Sequence, residues 1–85
     1  MKQFEYTIQD RLGIHARPAG LLVKEAKQFG SVCTITKGDQ TIKLSQLMQL
    51  LAMGVQQGDI VRVQAEGADE EAAISALQAF FQKNL

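Results

Sequence analysis

Apolar and polar residues change their spacing several times along the chain, and each change marks an element. Phe4, Tyr6 and Ile8 alternate with polar neighbours, the two-residue period of a half-buried strand. Asp10 to Ile14 breaks that pattern and reads as a loop. From Ala16 the period lengthens: Ala19, Leu22, Val23, Ala26 and Phe29 fall at helical spacing, with Lys24 and Lys27 on other faces. Gly30 is expected to end this helix as a left-handed cap. Ser31 to Lys37 is rich in β-branched residues, Gly38-Asp39 makes a turn, and a short strand follows, ending near Leu44. Ser45 has the side chain of an N-cap for a short helix through Met53, closed by Gly54. Gly58-Asp59 opens a strand over Ile60 to Ala65, and Gly67 closes it. Asp69 is expected to cap a last helix, where Glu70 and Glu71 suit the dipole and Ala73, Ile74, Leu77, Phe80 and Phe81 form one apolar stripe.

The order β-α-β-β-α-β-α, with one-sided strands and one-faced helices, predicts an α+β fold. Its expected form is an open-faced β-sandwich, a four-stranded antiparallel sheet with three helices on one face. No linker, internal repeat or low-complexity tract breaks residues 1–85, so one domain is expected. At 46% hydrophobic, the chain can build a core without disulfides or a structural metal. Nine basic and nine acidic residues leave no net charge, which disfavours nucleic acid or an anionic membrane as the main partner. The lone Cys33 cannot close an internal disulfide, and its place in a strand suits a small buried side chain better than a nucleophile. Met1-Lys2-Gln3-Phe4-Glu5 lacks the apolar segment of a signal peptide, and no run approaches the roughly 18 apolar residues of a membrane span. A cytoplasmic monomer is expected.

The chemistry concentrates at the first helix. The only histidine, His15, lies in Gly13-Ile14-His15-Ala16-Arg17-Pro18-Ala19, where the loop runs into the helix. A helix start presents unpaired N–H groups and partial positive charge, so it favours an anion. An imidazole nitrogen there is a candidate nucleophile for a phosphoryl group, and Arg17 with the N–H groups of Ala16 and Arg17 can hold the added charge of about −2. Pro18 falls in the first turn, where its missing N–H removes no helical hydrogen bond. On spacing alone, a capping or solvated imidazole stays open as the alternative. No phosphate-binding glycine loop or dinucleotide fingerprint occurs, so no cofactor is expected. One His and one Cys cannot build a usual zinc site, and Asp69-Glu70-Glu71 is better explained by the helix dipole than by a metal.

Gly13 to Ala19 resembles throughout the Gly-[Ile/Leu]-His-x-Arg-Pro-Ala signature of HPr-like domains, the histidine phosphocarriers of the bacterial sugar phosphotransferase system. The resemblance extends to length, element order and the apolar segment from Leu47-Met48 to Met53-Gly54. It implies a carrier rather than an enzyme. His15 would take a phosphoryl group on Nδ1 from Enzyme I, which draws it from phosphoenolpyruvate, and would pass it to the A domains of sugar-specific permeases. Arg17 would stabilise the phosphate during transfer. The alternative is a regulatory docking module of the same family, rarely phosphorylated on His15.

By the same resemblance, Leu47, Met48 and Leu51 ring the histidine and contact partners, and Gly20, Lys24 and Lys27 complete that surface. On periodicity, Leu47, Leu50 and Leu51 compete for the core, so an exposed cluster around Met48 and a wholly buried helix both remain open. One position departs from the family. Many relatives carry a regulatory serine just before the Leu-Met or Ile-Met pair, and Gln46 stands there in this chain. Ser45, the only serine nearby, is more simply an N-cap, so an HPr kinase or catabolite regulator lacks its expected site.

Overall fold

The alternating segments pair into one antiparallel sheet in the computed structural model, which describes residues 1–85. The elements are β1 (Lys2–Thr7), α1 (Ala16–Ala26), β2 (Val32–Lys37), β3 (Gln40–Lys43), α2 (Leu47–Ala52), β4 (Ile60–Glu66) and α3 (Glu70–Asn84). The strand order is β1-β4-β2-β3, and every neighbouring pair is antiparallel. Phe4 pairs with Val63, Val63 with Ile35, and Ile35 with Ile42, which sets one apolar row across all four strands. The three helices cover that face, as the sequence pattern predicts. Phe81 of α3 meets the rings of Phe4 and Tyr6 edge-on, each with centroids 5.5 Å apart. Ala73, Leu77 and Phe81 are fully buried, while Ile74 and Phe80 pack at the margin of the core. No helix is long and apolar enough to cross a membrane.

Three helix ends differ from the expected ones. The first helix stops at Ala26 rather than at Phe29, and Gly30 does not take a left-handed conformation. The chain leaves through two tight turns, with Gln28 N–H on Glu25 O (3.2 Å) and Phe29 N–H on Ala26 O (3.3 Å). Ser45 does not cap α2. A backbone turn from Lys43 to Gln46 (3.0 Å) comes first, so the helix begins at Leu47 with Gln46 in the cap position and no side-chain cap bond. Gly54 closes that helix at φ 66, as expected. Asp69 does hold the cap position of α3, but its carboxylate turns away from its own helix. It accepts from Gly30 N–H (2.8 Å), from Ser31 N–H (2.9 Å) and from the Ser31 hydroxyl. The bond from Gly30 to Asp69 also explains why Gly30 needs no left-handed return: its amide is satisfied across the fold.

The loop that carries His15 is fixed by a second loop. Gly13 sits at φ 65, and a Cβ there would lie 2.1 Å from Val55 O and 2.8 Å from Gln56 Cα. Only glycine satisfies both the angle and the approach. The next residue donates to the same carbonyl, Ile14 N–H to Val55 O at 3.1 Å. The Val55 segment is braced in turn. Asp59 accepts from Gln56 N–H (2.8 Å) and pairs with Lys37 Nζ (3.0 Å), whose ammonium also donates to Gly54 O (3.2 Å). At the start of the His15 loop, Leu85 O accepts from the N–H groups of Gln9 (2.6 Å) and Asp10 (2.9 Å).

Two stability outcomes follow from these contacts. Gly13→Ala combines a strained angle with overpacking and should lower stability by about 2–4 kcal/mol. Thermal unfolding should register it as a midpoint lower on the order of 10–20 °C. The second outcome depends on pH. The Ser31 hydroxyl, followed by the Gly30 amide, holds the Asp69 carboxyl below its ordinary range. That stabilisation is complete above the ordinary carboxylate value of about 3.9 and is lost as pH falls through the lowered folded value. Urea unfolding at a series of pH values should therefore find Asp69→Asn less stable than wild type at pH 7, with the gap closing in acid.

Candidate functional site

His15 occupies the N-cap position of α1 in an extended conformation, φ −100° and ψ −177°, and its side chain makes no cap hydrogen bond. Its carbonyl closes the first helical turn by accepting from Ala19 N–H at 2.9 Å. The backbone thus commits His15 to the helix while the ring stays uncommitted. The side chain is 37% exposed. Ala16 and Arg17 begin the helix, and neither N–H has an acceptor in the protein. Pro18 follows with no N–H and a buried ring, which anchors the turn without competing for the same anion. These features create positive potential at an open helix end.

A shallow hollow of about 210 Å³ lies at this end, lined by Asp10, His15, Arg17, Pro18, Leu21 and Asn84. The structure thus brings His15 and Arg17 together, as the spacing implies. It also adds three residues without a role in the sequence analysis. Asp10 places Oδ1 3.8 Å from His15 Nε2. Leu21 is 45% exposed, and its one sequence signal was its position off the buried stripe of α1. Asn84 arrives from the far end of α3, where it donates to Phe80 O (3.1 Å), and no local pattern could have placed it here. A larger groove, about 610 Å³, runs between α1 and α3 and includes Lys24 and Lys83, but not His15.

The second helix resolves its own ambiguity. Leu50 is fully buried and Met53 nearly so, which leaves Leu47 at 37% and Met48 at 75% exposure, with Leu51 half-buried. Of the three leucines competing for the core, Leu50 wins. The helix α2 packs against α1, and Leu47 and Met48 are left exposed on it without lining the hollow of His15. Gly20 is half-buried with open space where a Cβ would stand, and Lys24 and Lys27 are exposed without ion pairs. These lysines diverge, however: Lys24 lines the α1–α3 groove, while Lys27 faces a cavity with Cys33, Lys43 and Ser45. Neither lysine shares the hollow of His15. Ser45 and Gln46 are both exposed. Cys33 is buried, and burial, helped by the charge of Asp69, pushes its thiol up and away from the reactive thiolate. Asp69, Glu70 and Glu71 do not converge on one point. Asp69 is taken by Gly30 and Ser31, Glu70 meets the Met1 ammonium (2.8 Å), and Glu71 reaches toward Lys2 (3.7 Å).

Comparison with known proteins gives this arrangement its context. Residues 2–83 match the family model described as the PTS HPr component phosphorylation site. The phosphocarrier protein HPr of Mycoplasma genitalium is 36% identical over 85 residues, covering 99% of this chain and 97% of that protein. The solved structure of a mycoplasma histidine-containing phosphocarrier protein superposes with a TM-score of 0.93 at 35% identity, covering 96% of this chain and 93% of that one. The Crh protein of Bacillus subtilis, described as a catabolite repression protein forming a swapped dimer, gives 0.78 at 32% identity over 100% of this chain and 98% of that one. The family match spans both the His15 loop and the sheet that supports it, and this chain belongs to the HPr family of phosphocarriers of the phosphotransferase system.

Proposed function

We propose that His15 accepts a phosphoryl group on Nδ1 from Enzyme I, which takes it from phosphoenolpyruvate, and delivers it to the A domains of sugar-specific permeases. The observation that carries this reading is the uncommitted imidazole beside two unpaired helix-start amides and Arg17. A neutral imidazole nitrogen attacks phosphorus without first losing a proton, and the incoming dianion meets donors already in place. Ala16 and Arg17 N–H groups hold the phosphoryl oxygens, and the Arg17 guanidinium stabilises the charge as it moves. The group is mobile because nothing encloses it: the hollow is open, and the partner supplies the rest of the site. The chain works without a cofactor of its own, as one domain over residues 1–85 and as a monomer in the cytoplasm. The swapped dimer of Crh is the contrary precedent for assembly.

Partners dock, as the family resemblance implies, on Gly20, Lys24, Lys27, Leu47, Met48 and Leu51, of which the exposed Met48, Leu47 and the two lysines offer the contact area. Its apolar centre, Met48, adapts to differently shaped partners, while the lysines suit acidic rims. The likeness to Crh, described as a catabolite repression protein, supports a second reading, a regulatory docking module rarely phosphorylated on His15. Phosphate uptake on His15 separates the two. On regulation, Gln46 stands where relatives place a phosphorylated serine, so catabolite control through that position is lost.

Three variants divide the roles. His15→Ala should abolish acid-labile phosphate uptake from Enzyme I and phosphoenolpyruvate, read by intact mass, while calorimetric binding stays near wild type. Met48→Asp should do the reverse, weakening docking by about 2–5 kcal/mol because a charge must be desolvated in an apolar contact. Arg17→Ala should slow transfer about 10²- to 10³-fold, with a smaller effect on binding. Phosphate uptake by His15→Ala, or normal docking by Met48→Asp, defeats this division. Separately, an HPr kinase with ATP should leave the protein unmodified or label Ser45 only weakly, and stoichiometric phosphoserine by mass spectrometry would contradict the loss of that control point.

A further inference from the structure

Asp10 is the one carboxylate in the His15 hollow, and three contacts determine where it stands. Its N–H donates to Leu85 O at 2.9 Å, and its carbonyl accepts from Gly13 N–H at 3.0 Å. Its Oδ1 accepts from Leu12 N–H at 2.8 Å. The same oxygen lies 3.8 Å from His15 Nε2. That distance is too long for a hydrogen bond, but it is on the side of the ring away from Nδ1, and a turn of the imidazole toward Asp10 would shorten it. The Leu12 bond ties the carboxylate to the loop, so the ring has a fixed acceptor to turn toward.

We propose that Asp10 is a positioning residue that orients the His15 ring by accepting from Nε2–H. The proposal rests on His15 Nδ1 being the phosphoryl acceptor. A neutral imidazole carries one proton, and an acceptor at Nε2 keeps it there, leaving the lone pair on Nδ1. In transfer, the Nδ1 lone pair forms the bond to phosphorus while the donor's bond to phosphorus breaks and the donor keeps that electron pair. No proton leaves His15. The ring becomes an N-phosphorylated cation, with Nε2–H facing the Asp10 carboxylate. Asp10 thus opposes the positive charge on one side of the ring, while Arg17 and the helix start meet the phosphoryl oxygens on the other. A residue acting this way touches no reacting atom, but it sets which nitrogen reacts.

Asp10→Ser and Asp10→Asn test this. Serine keeps a short acceptor for Leu12 N–H but cannot reach the ring, and asparagine can still accept from Nε2–H without carrying charge. Ring nitrogen NMR shifts should show the Nε2-protonated tautomer dominating in wild type and a mixture in Asp10→Ser. Phosphate acceptance by Asp10→Ser at saturating Enzyme I should slow roughly ten-fold, by analogy with the low end of what carboxylates orienting metal-bound histidines contribute, with KM for Enzyme I unchanged. Asp10→Asn should keep the tautomer and fall between the two in rate. Wild-type shifts and rates in a folded Asp10→Ser overturn the proposal, and so does a tautomer change without slowing. If wild type itself takes no phosphate on His15, the phosphocarrier reading fails instead, which the His15→Ala control makes distinguishable.

Discussion

The carbonyl of Val55 is the fixed point of the molecule. Gly13 presses against it in a conformation other residues avoid, and Ile14 N–H bonds to it. These two contacts set the direction in which the chain enters α1, and hence where the His15 ring, the Ala16 and Arg17 amides and the Arg17 side chain stand. A helix start offers anion-binding potential anywhere, but a histidine must be held at the right distance to share it. The brace extends outward through Gln56 and Asp59 to Lys37 on the sheet. The start of α1 is thus coupled to the sheet by backbone hydrogen bonds and the Lys37–Asp59 ion pair, while the His15 side chain stays partly exposed.

The opposite end of α1 is held by different means. Asp69, from the start of α3, gathers the two amides and the hydroxyl of Gly30 and Ser31 as the chain leaves the helix for β2. One helix is therefore fixed at both ends by segments distant in sequence. Between them, Ala19, Leu22, Val23 and Ala26 seat it on the core. A helix secured in this way can expose its remaining faces, including Leu21, Lys24 and Lys27, without losing its place. The residues that hold the helix are therefore not those it leaves exposed.

Most of the fold was legible because periodicity reports burial directly. The order of elements, the inward Phe81 and Leu77, and the left-handed Gly54 all follow from spacing and turn chemistry. The His15–Arg17 pair was legible because both lie on one short segment. What escaped was long-range or competitive. Asp69 has a capping side chain and a capping position, yet three donors across the fold outcompete its own helix. Ser45 lost its role to a backbone turn that moves the helix start one residue on, to a Gln46 cap. Asn84 and Leu85 reach the His15 loop from the far end of the chain, and no local pattern encodes that meeting. Asp10 was visible as a loop residue, but its approach to the imidazole depends on how the loop folds back.

The strand order has a consequence for how the molecule comes into being. β4, which spans Ile60–Glu66, lies between β1 and β2, so it must enter the middle of the sheet although it is the last strand made. As the chain leaves the ribosome, only the β2–β3 hairpin can pair early. β1 emerges first and waits as a lone strand, its Phe4 and Tyr6 exposed, until most of the chain has been synthesised. Val55 itself is made shortly before β4. The nascent chain therefore displays His15 long before it has the surroundings that fix its loop, and these form only when the sheet closes. Such non-local closure slows folding relative to local hairpins, and it leaves the early strand open to chance partners.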